Sequence, residues 1–164
     1  MSPVEGDALG DVELCLSVLP HADELPLAAT MGEVTHARAH KPVYVDCNAV
    51  SPDTVTGIAG VIEAAGGPFV DGGIIGFPPR EGYAGPRLYV SGPQAHQVAV
   101  LSAYGPDVRV LDGPVGAASA LKMSYAGITQ GLNAVATAMI LAADRTWAGD
   151  ALAEEIKESL PTFV

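Results

Sequence analysis

Apolar residues arrive in short blocks separated by turn-formers. Val12–Leu19 (VELCLSVL) ends at Pro20, and Pro42–Asp46 (PVYVD) ends on an acid followed by Cys47 and Asn48. Blocks of this length bounded by turn residues read as buried strands of a parallel sheet. His21–Ala39 between them is mixed and has room for one or two short helices. Ser51-Pro52-Asp53 is a helix start: a capping hydroxyl, a proline at the first helical position, then an acid in the first turn. The predicted helix covers Pro52–Ala65 and stops at Gly66-Gly67. Phe69–Asp71 restarts a strand that Gly72-Gly73 is expected to end, and Arg87–Ser91 (RLYVS) alternates like another. Pro93–Tyr104 reads as a helix and Val108–Leu111 as a further short strand, while Met1–Gly10 reads as an irregular lead-in.

Strands alternating with helices of this length predict βαβ units and a mostly parallel sheet. The pattern changes from Gly116 onward. Ala117–Ala143 carries Ala, Leu, Met and Ile without a strand signal and reads as one long helix; an acidic helix over Asp150–Glu158 precedes Pro161. The expected architecture is α/β: a Rossmann-like, mostly parallel sheet followed by an all-α segment with one long helix. The boundary falls near Gly113-Pro114, giving domains 1–112 and 113–164.

Composition narrows the function classes. In 164 residues, 49% are hydrophobic, enough for a sizeable core. No uninterrupted apolar stretch of about 18 residues is present, so no membrane span is expected. The net charge of −11 disfavours nucleic acid and anionic membrane as partners. It leaves room for an anionic cofactor, because backbone amides at a helix N-terminus bind phosphate without side-chain charge. Cys15 and Cys47 sit in apolar runs and read as reduced core thiols, too few for a disulfide framework or metal site. His21, His36, His40 and His96 show no ligand spacing, and no metal is expected. The N-terminus lacks a basic region followed by an apolar core, so a cytoplasmic protein is expected.

Ligands of open α/β sheets bind beyond the carboxyl ends of the strands. Three junctions qualify: Leu19-Pro20, Asp46 to Pro52, and Asp71-Gly72-Gly73. Each is also ordinary turn chemistry, but three at successive strand ends carry more weight than one. Asp46 and Asp71 read as capping or turn residues rather than a reactive pair. No GxSxG motif or Cys/His pairing stands out, and Arg80–Arg87 reads as a solvent loop. On the long helix Lys122, Tyr125, Thr129 and Asn133 recur at helical spacing on an otherwise apolar segment. A lysine in apolar surroundings can serve as acid, base or electrostatic clamp. The alternative is a lysine that reaches past its apolar stem to solvent.

VELCLSVLP, VDCNAVSP, PFVDGGIIG, RLYVSG and GPVGAASALKMSYAGITQG, in that order, resemble segments of the β-hydroxyacid and 6-phosphogluconate dehydrogenase superfamily. The last is similar to the Gly-x-x-Gly-x-x-x-x-x-Lys helix that crosses to the second domain, in the branch whose helical C-terminal domain has no assigned role. The resemblance spans roughly Val12–Ala143. It implies an NAD- or NADP-dependent oxidoreductase acting on a small hydroxy acid or related substrate, with Lys122 as the catalytic residue. Leu19, Pro20 and Asn48 would line the cofactor; Asn48, Gly72, Gly73, Tyr125 and Thr129 would hold substrate. A homodimer through the helical segment is also implied. The departures are specific. The GxGxxG fingerprint is absent, so the resemblance implies a chain that begins midway through the cofactor domain and ends early in the helical one. Asn48 stands where the family has Ser, Ile75-Gly76-Phe77 where it has Ser-Gly-Gly, and Ala126 where an Asn follows the lysine. A non-enzymatic dimerisation or interaction module is the alternative reading. An imine reductase of the same fold is a third, against which Lys122 argues.

Overall fold

In the computed structural model, residues 12–20 and 23–160 are described. The expected lead-in over Met1–Gly10 and the position of His21 lie outside them. Five strands form one sheet in sequence order. They are β1 (Leu14–Ser17), β2 (Val43–Asp46), β3 (Phe69–Ile75), β4 (Arg87–Ser91) and β5 (Asp107–Val110). β1, β2 and β3 run parallel, β4 pairs antiparallel to β3, and β5 runs parallel to β4. The mostly parallel sheet followed by one long helix is therefore present.

The helices follow the sequence signals closely. α1 (Glu24–His36) is a single helix in the stretch with room for two. α2 (Pro52–Ala64) starts as its cap predicts: Ser51 Oγ accepts the Thr54 N–H at 3.1 Å. At its other end Lys41 Nζ donates to the Ala65 carbonyl at 2.6 Å, placing a cation on the negative end of the helix. Pro93–Tyr104 forms only a short α3 (Ala95–Val98), then tightens into a 3-10 segment over Ala99–Tyr104. α4 (Ala117–Arg145) and α5 (Gly149–Ser159) complete the order.

One strand differs from expectation. Gly72-Gly73 does not end β3. Parallel pairing with β2 stops at Asp71, but Gly72 and Gly73 pair with Val90 and Tyr89 of β4, carrying β3 on to Ile75. Antiparallel backbone bonding to β4 replaces the missing side-chain packing.

The sheet is covered on both faces, which is why its strands lack polar alternation. Tyr44 and Phe69 stack at 5.9 Å between ring centroids and pack with Ala28 and Met31 of α1 and Val55, Ile58 and Ile62 of α2. On the opposite face Val45, Val70, Leu88 and Val90 pack with Ala95 and Val98 of α3.

The chain forms two compact units, Met1–Met123 and Ser124–Val164. In the second, Ile128, Leu132, Val135, Met139, Ile140 and Leu141 of α4 are each more than half exposed. An 18-residue window of α4 reaches a mean hydropathy of 1.4, so by length and composition alone it could cross a membrane. That modifies the expectation drawn from uninterrupted apolar runs, since scattered Gly, Ser, Thr and Asn break a run without abolishing a hydropathic average.

Candidate functional site

The strand register builds a polar row. Ser17 pairs with Asp46, Asp46 with Asp71, and Asp71 with Ser91. Residues in register point to the same face of a sheet. Two residues earlier on β1, β2 and β3 stand Cys15, Tyr44 and Phe69, which pack toward α1 and α2. The polar row thus continues this helix-covered face at the carboxyl ends of the three parallel strands. All four members are at most 3% exposed.

Asp71 anchors α4. Its Oδ1 accepts from Ser119 Oγ at 2.6 Å; its Oδ2 accepts from Gly116 N at 2.9 Å, Ser119 N at 3.0 Å and Ser91 Oγ at 3.0 Å. Ser91 Oγ in turn accepts the Ala118 N–H at 3.0 Å. The N–H groups that a helix start leaves without partners are thereby satisfied by two strand residues, with negative charge at the positive end of the helix. The capping role expected for Asp71 is present, but it serves a helix 48 residues away in the chain rather than its own turn.

Gly73 lets that helix lie against the sheet. A Cβ on Gly73 would stand 2.8 Å from the Ala118 carbonyl oxygen and 3.2 Å from Lys122 Cβ. A Cβ on Gly72 would stand 2.9 Å from the Asp46 carbonyl oxygen and 3.1 Å from Cys47 Sγ. Both glycines are buried and serve close approach of backbone rather than a turn. Lys122, one turn after Ser119, is consequently held against β3 and is half-buried. Burial lowers its pKa, while charge at Cys47, Asp46 and Glu24 works the other way. Burial pushes the Cys47 thiol up to about 12, an effect that Asp46 strengthens and Lys122 opposes.

Asn48 ties two strand ends together. Its Oδ1 accepts the Leu19 N–H at 2.7 Å, its Nδ2 donates to Ser17 Oγ at 3.0 Å, and its own N–H donates to Asp46 Oδ1 at 2.9 Å. At 3% exposure it braces the Leu19-Pro20 turn from within. Asp46 makes the expected turn contact through Oδ1, while its Oδ2 is buried without a hydrogen-bond partner. Burial raises the pKa of this carboxyl, with Glu24 and Asp71 adding to the effect.

Lys122, Gly72, Gly73, Asn48, Leu19 and Pro20 all belong to the first unit. Tyr125 and Thr129 belong to the second, where Tyr125 is 52% exposed and the Thr129 hydroxyl donates back to the Tyr125 carbonyl at 2.9 Å. Sequence reasoning missed Ser17, Glu24, Ser91 and Ser119. Glu24 is 2% exposed in the first turn of α1, a position that reads in sequence as an ordinary solvated helix acid. Among the described residues no group of His, Cys, Asp and Glu could hold a metal ion.

No family model matches the chain. An uncharacterised 28.5 kDa protein of Methanothermus fervidus is 29% identical over 153 residues, covering 93% of this chain and 57% of that protein. A solved structure of a conserved protein of unknown function, noted for its structural similarity to 3-hydroxyacid dehydrogenases, matches with TM-score 0.75 at 29% identity. That match covers 95% of this chain and 57% of the other. The fold is that of the 3-hydroxyacid dehydrogenase-like proteins. A variant imine reductase from Myxococcus stipitatus, solved with NAD+, shares this dehydrogenase-like fold at TM-score 0.71 and 22% identity, over 96% of this chain and 56% of its own. The chain spans about half the length of the relatives it matches. In this dehydrogenase-like sheet the polar row occupies the carboxyl edge, where ligands approach open α/β folds.

Proposed function

We propose that this chain contributes the proton-exchanging half of a nicotinamide-dependent oxidoreductase site acting on a small hydroxy acid or related substrate. The observation that carries the reading is Lys122. It is held half-buried against β3 by the Asp71 anchor and by Gly73, with its proton made labile by desolvation. A lysine so placed takes the proton of a substrate hydroxyl on oxidation and returns it on reduction. Bound NAD or NADP would accept or supply the hydride.

The residues present fit one side of such a cofactor. Leu19 and Pro20 form an apolar turn at the end of β1, fixed by Asn48. In substrate binding, Asn48 would act through this bracing, and Gly72-Gly73 would offer backbone where a side chain would obstruct. No two glycines in the sequence stand two apart, so the chain offers no GxGxxG turn for the pyrophosphate. Weak dinucleotide binding by this chain alone is the corresponding expectation.

Titration followed by nicotinamide fluorescence tests the cofactor; micromolar binding would show that the glycine turn is dispensable. Lys122→Ala in an active preparation tests the chemistry, and unchanged turnover would remove Lys122 from it. The rival reading of an interaction module leaves a half-buried lysine among buried acids without a role. Self-association through α4 is part of the proposal, because its exposed apolar residues need a cover. Light scattering tests this, and a monomer at high concentration would count against it.

A further inference from the structure

The outer side of β1 is open. The sheet runs in the order β1 to β5, so β1 and β5 are its borders. The Glu13 and Ser17 carbonyls accept the Val43 and Cys47 N–H groups on the β2 side. Backbone groups of successive strand residues point to opposite sides. Cys15 therefore also faces β2, and the N–H and C=O groups of Leu14, Leu16 and Val18 face outward. Among the described residues no strand pairs with them.

The two borders are built differently. β5 carries Asp107 and Arg109, ion-paired at 2.9 Å and each about half exposed. Charged side chains of this kind blunt an edge against further pairing. The outward residues of β1 are uncharged and apolar, with Leu16 44% and Val18 64% exposed. Their side chains share the face opposite α1 and α2: Leu14 packs against the core on the α3 side, and the two-residue period places Leu16 and Val18 beside it. α3 leaves this margin of the face uncovered. A cavity of about 360 Å³ lies there, lined by Leu14 and Val43 of the strands and by Gln97 and Val100 of the α3 region, among others. Parallel strands are stable when neighboured and covered on both faces; the β1 margin lacks both a neighbour and a cover.

We infer that the β1 edge is a docking surface for a parallel strand, with a helix to cover Leu14, Leu16 and Val18, from a further polypeptide segment carrying the remainder of the relatives' fold. Two observations select this occupant. The chain spans 57% of the Methanothermus fervidus protein and 57% of the solved structure that is 29% identical to it, so each relative has further chain to place. Winding agrees with the open face. Right-handed crossovers from β1 to β2 to β3 put α1 and α2 on one face of the sheet. Crossovers progressing the other way, outward from β1, put their helices on the opposite face, where Leu14, Leu16 and Val18 stand open. A second copy fits less well, because two-fold pairing sets β1 antiparallel to itself and brings no helix to this margin. The docking surface does not depend on the role given to Lys122.

Hydrogen exchange followed by NMR tests the surface. The probe is the portion of the Methanothermus fervidus protein outside the match, added as a separate polypeptide. A second format joins it to Met1 through a glycine-serine linker, which holds it at about millimolar effective concentration. In the isolated chain the Leu14, Leu16 and Val18 amides exchange freely while Cys15 and Ser17 are protected. With the probe, the three outward amides slow by about tenfold or more and those of β5 do not. Leu16→Pro removes an outward N–H but none that β2 uses, so the variant folds and the slowing is abolished. Val18→Lys keeps the backbone intact and weakens the slowing. Slow exchange at Leu16 in the isolated chain overturns the inference, as do antiparallel contacts at β1 between labelled and unlabelled copies. Absence of slowing in both probe formats overturns it too. No cofactor or substrate is present, so failure of the docking surface and failure of the proposed reaction are read separately.

Discussion

Asp71 Oδ1 accepts a 2.6 Å hydrogen bond from Ser119 Oγ, joining the middle of β3 to the first turn of α4 across 48 residues of chain. With Gly116 N, Ser119 N and Ser91 Oγ on Oδ2, this carboxyl group holds the start of the helix that carries Lys122. Ser119→Ala leaves Oδ1 without its donor in a dry site and is expected to cost about 2 kcal/mol. Asp71→Asn places an amide where four donors converge and is expected to cost about 3 kcal/mol or more. Urea unfolding measures both, and the same order of losses at unchanged m-value supports the anchor.

Gly73→Ala tests the close approach of α4 to β3. The added methyl would meet the Ala118 carbonyl oxygen at 2.8 Å, and backbone cannot swing aside. A loss of about 1–3 kcal/mol is expected. The Lys122 ε-carbon signal should also shift, because the helix moves off the strand. Wild-type stability in this variant would mean that the helix has room to slide.

Ser51→Ala removes the side chain that caps α2 at Thr54 N. A loss of about 1 kcal/mol is expected, read from thermal unfolding. The Lys122 titration should not move, since Ser51 is exposed and takes no part in the polar row. This variant separates loss of stability from disturbance of the site.

Cys47 makes stability depend on alkaline pH. Its ordinary value of 9.0 is pushed to about 12 by burial. Between these values the unfolded chain releases a proton that the folded chain keeps. Its contribution is therefore complete below pH 9 and lost as pH rises to about 12. Tyr44, raised from 10.0 to about 12, acts the same way over the upper part of that window. Cys47→Ala should flatten the decline by up to about 1.4 kcal/mol per pH unit. Denaturant titrations across the window check it; an unaltered slope would show that the thiol is hydrated in the fold.

Much of the local structure was written in neighbouring residues. Ser51-Pro52-Asp53 started α2, RLYVS was β4 residue for residue, and the Ala-rich segment from Ala117 became α4, because caps, alternation and helical propensity act within a few positions. The order of strands and helices, and with it the dehydrogenase-like fold, followed from these signals. Tertiary structure decided what the strand ends do. Gly72-Gly73 reads in sequence as a stop, yet β4 pairs with it and the strand continues. Asp46 and Asp71 look alike in sequence, each an acid closing an apolar run. One is saturated by a helix start that arrives from far along the chain, and the other keeps a buried oxygen without a partner. Glu24 resembles a solvated helix acid until α1 turns it inward. Register and long-range hydrogen bonds set these environments, and they depend on residues tens of positions apart. The sequence could therefore name Lys122, but only the packed sheet could show what holds it and which charges surround it.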